Sequence, residues 1–432
     1  MKAQLLKLIK KPFVRNVATV ATGTAAAQAI GIAFSPLITR LYGPEAFGLL
    51  GTFMALVAVL TPIAALCYPI AIVLPKKDED ARALVKLSFY ISLGIAFLVT
   101  ILLLIGGDWL LALVGAEAIS AFKFLIPLNL LFAAWLQVAQ QWLIRKKQFK
   151  VKAKASVAQA AVVNGVKTGI GVFHPLAAVL IVMSSLGQIL HAGLLYLGLK
   201  KNESLPTSSS PEANTPMRQV ARQHRDFPLY RAPQVFINAA SQGLPVLMLA
   251  AFFGPAPAGF FTLGKKILGT PTQLIGQSVR DVFYPKISEA AQRGENLSKL
   301  IFKPTLYMAA LGVIPFAIIT LFGPWLFGFV FGGEWTVAGE YARWLSIMLF
   351  FQFINRPAVA AIPVIGIQKG LLFYEFFSTG SKLIVLYVGF VIYMNDVFSI
   401  AAFSVAGALA YISLIIWVLI SAKKRNKEIT DA

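Results

Sequence analysis

The chain has 432 residues, 58% of them hydrophobic and 13% charged, with mean hydropathy +0.74 and a formal net charge of +21. A soluble protein carries about 25% charged residues, so this composition argues against a water-soluble catalytic domain and for a chain that lives in lipid. Cys67 is the single cysteine and lies in an apolar stretch, which excludes a disulfide framework and a thiolate metal site.

Residues 1–15 are basic (Lys2, Lys7, Lys10, Lys11, Arg15) and lead into an apolar stretch at 17–39. That stretch is too long for a signal-peptide core, so it reads as a first membrane span and Ala25-Ala26-Ala27 is not a cleavage site. Eleven further apolar segments follow at 47–74, 85–105, 119–143, 155–173, 176–199, 229–253, 259–284, 304–322, 341–363, 370–393 and 397–420. Most approach or exceed the ~20 residues that cross a hydrocarbon core. The longest polar stretch, 200–231, contains Leu205-Pro206-Thr207-Ser208-Ser209-Ser210-Pro211 and reads as a flexible linker. The predicted organisation is a six-helix lobe at 1–199, a linker at 200–228 and a second six-helix lobe at 229–432.

Charge gives this pattern a direction. Thirty of the 39 Lys and Arg residues lie in or at the edges of alternate gaps, while the other gaps hold Arg40 alone with the acids Glu45, Asp108, Glu117, Glu334, Glu340 and Asp396. Cationic loops stay cytoplasmic, so both termini are predicted there, the last carrying Lys423, Lys424, Arg425 and Lys427. The +21 is therefore the rim of a membrane bundle and not a nucleic-acid surface.

The halves also repeat. Tyr42-Gly43-Pro44-Glu45-Ala46-Phe47-Gly48 returns as Phe253-Gly254-Pro255-Ala256-Pro257-Ala258-Gly259, Tyr68-Pro69 as Tyr284-Pro285, and Trp109-Leu110 as Trp325-Leu326. Six spans per half give both repeats the same orientation, related by an axis along the membrane normal. The expected architecture is an all-α integral membrane protein with twelve transmembrane helices in two pseudo-symmetric lobes around a central cavity.

At Leu37-Ile38-Thr39-Arg40-Leu41-Tyr42-Gly43-Pro44-Glu45-Ala46-Phe47-Gly48 the chain resembles the bacterial polysaccharide-export flippases. These belong to the multidrug/oligosaccharidyl-lipid/polysaccharide exporter superfamily and include the Wzx-type O-antigen flippases. Phe227-Pro228-Leu229-Tyr230, Asn238-Ala239-Ala240-Ser241-Gln242-Gly243-Leu244-Pro245 and Val282-Phe283-Tyr284-Pro285 carry the same resemblance, which runs over nearly the whole chain. It implies transfer of a polyprenyl-diphosphate-linked oligosaccharide from the cytoplasmic to the periplasmic leaflet of the bacterial inner membrane. A polysaccharide polymerase and a chain-length regulator are the partners it implies.

Eight cations fall inside spans: Lys123, Lys167, Lys265, Lys266, Arg280, Arg343, Arg356 and Lys382. Each costs about 2.5–3.5 kcal/mol at a helix centre on insertion scales, so such residues turn toward the protein interior. Lys123, Arg280 and Arg343 lie near span ends, where long side chains snorkel. Lys167, Lys265, Arg356 and Lys382 lie deeper and are candidate substrate ligands. Lys266 is a further candidate, although about 100° around the helix from Lys265. A diphosphate would accept several charge-assisted hydrogen bonds from such a set. Gln28, Asn238 and Gln242, with Ser241, are candidates to meet sugar hydroxyls or to bind helix to helix. Glu375 is the one acid deep in a span, seven residues from Lys382. Two roles are open to it: a counter-charge for Lys382, or a protonatable group that couples transport to an ion gradient.

Other matches carry nothing. Gly259-Phe260-Phe261-Thr262-Leu263-Gly264-Lys265 lacks the Ser/Thr of a phosphate-binding loop, because Lys266 stands there. His174, His191 and His224 lack metal-ligand spacing, and no Ser/His/Asp or paired-carboxylate set stands out, so neither metal, cofactor nor enzymatic activity is expected. A multidrug exporter of the same superfamily is one alternative, disfavoured because buried cations outnumber buried acids. A membrane-embedded polymerase or ligase is another, disfavoured because the longest loop on the far side, 322–340, is short and mostly apolar.

Overall fold

The computed structural model describes residues 12–201 and 216–430. The cations Lys2, Lys7, Lys10 and Lys11 and the predicted linker segment Leu205-Pro206-Thr207-Ser208-Ser209-Ser210-Pro211 lie outside the described residues. Among the described residues the chain is helical and contains no strand. The principal helices are α1 Pro12–Ala33, α2 Ser35–Ala64, α3 Asp78–Leu113, α4 Leu125–Arg145, α5 Phe149–Phe173, α6 Ala177–Lys201 and α7 Met217–Gln223. They continue as α8 Ala232–Phe253, α9 Pro255–Gln292, α10 Leu297–Phe331, α11 Thr336–Ile354, α12 Arg356–Ile365, α13 Gln368–Val388 and α14 Asp396–Thr430.

All twelve predicted spans fall on this helical framework, and eight helical stretches among the described residues are long and apolar enough to cross a membrane. In lipid every backbone N–H and C=O must be paired within the protein, which helices achieve locally. The chain is a multi-pass membrane protein. The predicted spans that fall on α1, α4, α5 and α9 are not among those eight, and three of these helices carry candidate site residues: Gln28 on α1, Lys167 on α5, Lys265 and Lys266 on α9. Their polarity marks them as helices with a non-lipid face.

Predicted boundaries shift where glycine and unusual backbone intervene. The loop expected at 40–46 is a break inside α2, where Gly43 adopts φ 69°, ψ 172° and Pro44 restarts the helix. The second predicted span, 47–74, is interrupted at Leu66 and Cys67, both left-handed (φ 48° and 58°). α11 and α12 divide the tenth predicted span at Asn355.

The packing forms two compact units, residues 1–251 and 252–432. In the first, α1 lies along α5 so closely that a Cβ on Gly23 would come 2.4 Å from the Cβ of Ala153. A cluster around Phe53, Leu103, Leu111, Ile126 and Leu130 joins α2, α3 and α4. A second, around Ile72, Leu84, Trp142, Leu143, Leu195 and Val220, gathers helix ends from α3 to α7. α8 packs within this unit, where a Cβ on Gly243 would meet Val59 Cγ2 at 2.7 Å and the carbonyl of Ala55 at 3.3 Å. In the second unit, a cluster of Ile287, Ile301, Ala358, Ala361, Ile362, Leu414 and Val418 binds α9, α10, α12 and α14.

The sequence repeat has a backbone counterpart. Gly43 (φ 69°, ψ 172°) precedes Pro44, and Gly254 (φ 87°, ψ −176°) precedes Pro255 at the start of α9. This combination is essentially restricted to glycine, and proline at the first helical position gives up an N–H that would be unpaired anyway. After Trp109 and Trp325, positive φ recurs again at Gly115 (65°) and Gly332 (113°).

Candidate functional site

In the first unit the centre is Lys167 on α5. Its ammonium donates to Ser184 Oγ on α6 at 2.7 Å, and Ser184 in turn donates to the carbonyl of Leu180 at 2.7 Å. The Tyr42 hydroxyl donates to the Lys167 carbonyl at 2.7 Å. Tyr42 reaches it because Gly171, one turn along α5, leaves room: a Cβ there would sit 2.6 Å from the Tyr42 ring. Lys167 is half-buried, with its ammonium held on a neutral hydroxyl. On α1, packed along α5, Gln28 Oε1 is buried with no hydrogen-bond partner among the described residues. Buried polar atoms of this kind are satisfied by water or by a bound group.

On α8, the Gln242 amide donates to Asn238 Oδ1 at 3.0 Å, and both side chains are exposed. They form one polar ridge at i, i+4 spacing.

In the second unit the polar residues converge on Tyr411 of α14. Gln352 Nε2 on α11 donates to the Tyr411 hydroxyl at 2.7 Å, and the Lys382 ammonium on α13 stands 5.8 Å from the centroid of the same ring. A cation over a desolvated aromatic face gains about 2 kcal/mol, which offsets part of the cost of burying Lys382. Gly407, one turn before Tyr411, admits the Lys382 stem: a Cβ there would lie 3.4 Å from Lys382 Cδ. Arg356, four residues after Gln352, lies against Gly276 of α9, and its Nε is buried with no hydrogen-bond partner among the described residues. Tyr411 and Arg280 are within electrostatic range of Arg356, and Glu375 within range of Lys382.

The structure thus brings Lys382 and Arg356 to one set, with Glu375 at its edge. Glu375 is exposed and forms no ion pair within 4 Å among the described residues, so its effect on Lys382 is long-range. Lys265 is half-buried, its ammonium 6.0 Å from the Phe261 centroid, while Lys266 is exposed, in keeping with their ~100° separation. Both lie eleven or ten residues before Gly276, roughly 16 Å along α9 from the Arg356 contact. Lys123 pairs with Asp108 at 2.9 Å and Arg343 with Glu340 at 3.0 Å, the snorkelled arrangement expected near span ends.

Four residues of these sets were not singled out as ligands from the sequence: Tyr42, Ser184, Gln352 and Tyr411. Gln352 carried the same signal as Gln28, an amide inside an apolar span. Tyr411 carried none, because a tyrosine in a span reads as packing until its hydroxyl finds a partner.

The fold is shared with transporters of the MOP superfamily. A multidrug resistance MATE family transporter in an inward-facing conformation superposes with TM-score 0.75 at 15% identity, over 94% of this chain and 96% of that one. The lipid II flippase MurJ in its inward closed conformation gives 0.68 at 13% identity, over 95% and 90%. A MOP superfamily transporter from Pyrococcus furiosus, described as having a binding pocket of reverse polarity, gives 0.62 at 13% identity, over 96% of each chain. Residues 37–340 match the polysaccharide biosynthesis protein family, and the chain belongs to that family. The succinoglycan biosynthesis transport protein ExoT of Rhizobium meliloti (strain 1021) is 23% identical over 348 residues, covering 78% of this chain and 66% of that relative's length.

Proposed function

We propose that this protein is a flippase of polysaccharide biosynthesis that moves a polyprenyl-diphosphate-linked oligosaccharide from the cytoplasmic to the periplasmic leaflet of the bacterial inner membrane by alternating access. The observation that carries the reading is the Lys167 ammonium, held on a serine hydroxyl inside a predicted span of a polysaccharide biosynthesis protein. Lys382 and Arg356 supply a second cationic set around Tyr411. Cations outnumber acids inside the predicted spans, which favours an anionic substrate over the organic cations of a drug exporter. Family membership and the ExoT likeness favour a polysaccharide precursor as that anion.

In this reading the diphosphate meets Lys167, Lys265, Lys266, Arg356 and Lys382, while Gln28, Asn238 and Gln242 meet sugar hydroxyls. Cationic loops hold both termini in the cytoplasm, and the repeat divides twelve spans into lobes at 1–199 and 229–432. Glu375 balances Lys382 at a distance or takes up a proton during the cycle. A Glu375→Gln variant whose transport still responds fully to collapse of the proton gradient would remove the second role.

The test is transbilayer movement of a fluorescent polyprenyl-diphosphate oligosaccharide in proteoliposomes, read by accessibility to an external lectin. A Lys167→Ala, Lys265→Ala, Lys382→Ala triple variant is expected to lose at least tenfold in rate, since a hydrogen bond to a charged group contributes about 1.5–3 kcal/mol. Normal flipping by the folded triple variant would rule out the cationic site.

A further inference from the structure

Residues 217–231 form a docked basic surface beside the eighth helix. α7 is only seven residues long, yet it is fixed to the first unit: Val220 is fully buried among Leu84, Trp142, Leu195 and Leu199. The Tyr68 hydroxyl donates to the carbonyl of Ala221 at 3.2 Å, and Phe227 packs against the same cluster. With Val220 turned inward, Arg218, Arg222 and Arg225 are exposed. Arg218 and Arg222, four residues apart, share a stripe on α7, and Arg225 stands in the turn that follows it. Pro216, Arg218, Gln219 and Arg222 line a shallow groove of about 370 Å³. None of the three arginines forms an ion pair among the described residues; Asp226 follows Arg225 in the chain, and Asp80 lies within electrostatic range of His224.

Position decides what such a stripe meets. Phe227–Phe253 is a 27-residue stretch apolar enough to span a membrane, and Arg225 stands two residues before it. Arg222 stands five residues before the start of that stretch, with the turn at 224–225 between them. The exposed apolar side chains Met217 at 40%, Leu229 at 60% and Tyr230 at 72% lie in the same stretch as the exposed Arg218, Arg225 and Arg231. Exposed apolar side chains among guanidinium groups that form no ion pair with the described residues complement, at the bilayer edge, one chemical type: an acyl chain carrying an anionic phosphate.

We propose that Arg218, Arg222 and Arg225 form a binding surface for anionic phospholipid headgroups at the cytoplasmic face of the bilayer. The surface holds the base of the eighth helix against the membrane interface. It is independent of the transported substrate.

The full-length protein, in micelles equilibrated with equimolar phosphatidylcholine and labelled phosphatidylglycerol, tests this by lipid retained through gel filtration. An Arg218→Gln, Arg222→Gln, Arg225→Gln variant is expected to lose retained phosphatidylglycerol several-fold, up to about fivefold for each arginine, with phosphatidylcholine unchanged. A Lys423→Gln, Lys424→Gln variant, which removes cations elsewhere, should retain it, as should an Arg222→Lys variant that keeps the charge. Equal retention by the triple variant overturns the proposal, and so does an equal loss in the Lys423/Lys424 variant, which would mean diffuse charge. Full displacement by soluble glycerol phosphate would assign the groove to a free phosphate and overturn it too. Should the triple variant fail to fold, Arg218→Gln and Arg222→Gln singly carry the same comparison.

Discussion

Lys167 and Lys382 are tolerated in helices of a membrane protein by different means. Lys167 has a hydroxyl acceptor at 2.7 Å, whereas Lys382 has an aromatic face at 5.8 Å. Tyr411 serves two neighbours at once, accepting from Gln352 and presenting its ring to Lys382. A Tyr411→Phe variant keeps the ring and strands the Gln352 amide, so a loss of about 1–3 kcal/mol in unfolding free energy is expected, with transport reduced less than by Lys382→Ala. Parallel thermal-unfolding and flipping assays separate the two effects. Outside the predicted spans, Asp78 accepts from Lys146 at 2.5 Å and pairs with Arg145 at 2.9 Å, while Arg145 also donates to the carbonyl of Pro75 at 2.6 Å. The Lys146 hydrogen bond, then that of Arg145, holds the Asp78 carboxyl below the usual carboxylate range against the opposing effect of burial. A depressed folded pKa contributes stability that is present above the unfolded value and is lost as pH falls through the folded one. Asp78 is 44% exposed, so solvent screening keeps this contribution under about 1 kcal/mol. Wild-type melting temperature should drop below about pH 4 more steeply than that of Asp78→Asn, measured in the same detergent.

At the scale of elements, the helices were legible because lipid leaves the backbone no other solution and because apolar length is written directly in the residues. Their ends were less legible. Gly43 looked like part of a seven-residue loop, yet Pro44 restarts the helix at once, so the loop contracts to one glycine. The left-handed Leu66 and Cys67 gave no warning, since neither residue type favours that conformation. Of the site, the cations were legible as costly residues in lipid, but their partners depend on which helix faces which. Ser184 meets Lys167 only because α6 packs on α5. The Gly-Pro repeat yields a symmetric prediction. Gly43→Ala and Gly254→Ala each force a side chain into a backbone region open essentially to glycine, and each should destabilise by about 1–3 kcal/mol. Near-equal losses in thermal unfolding would support matched roles, whereas no loss at Gly254 would mean that its conformation is free to relax.

Across the whole molecule, each of the two units carries its own cation set, Lys167 with Ser184 in residues 1–251 and Lys382 with Arg356 and Tyr411 in 252–432. The fold is common to proteins named as drug transporters and as a lipid flippase, so it does not choose between cationic and anionic cargo. The proposed anionic cargo rests on the sign of the intramembrane charge, together with membership in the polysaccharide biosynthesis protein family. The most direct measurement is the leaflet location of polyprenyl-diphosphate-linked oligosaccharide in cells depleted of this protein. The account predicts accumulation facing the cytoplasm, relieved when the protein is restored. Single repeat units collecting on the periplasmic face, or no accumulation at all, would contradict it.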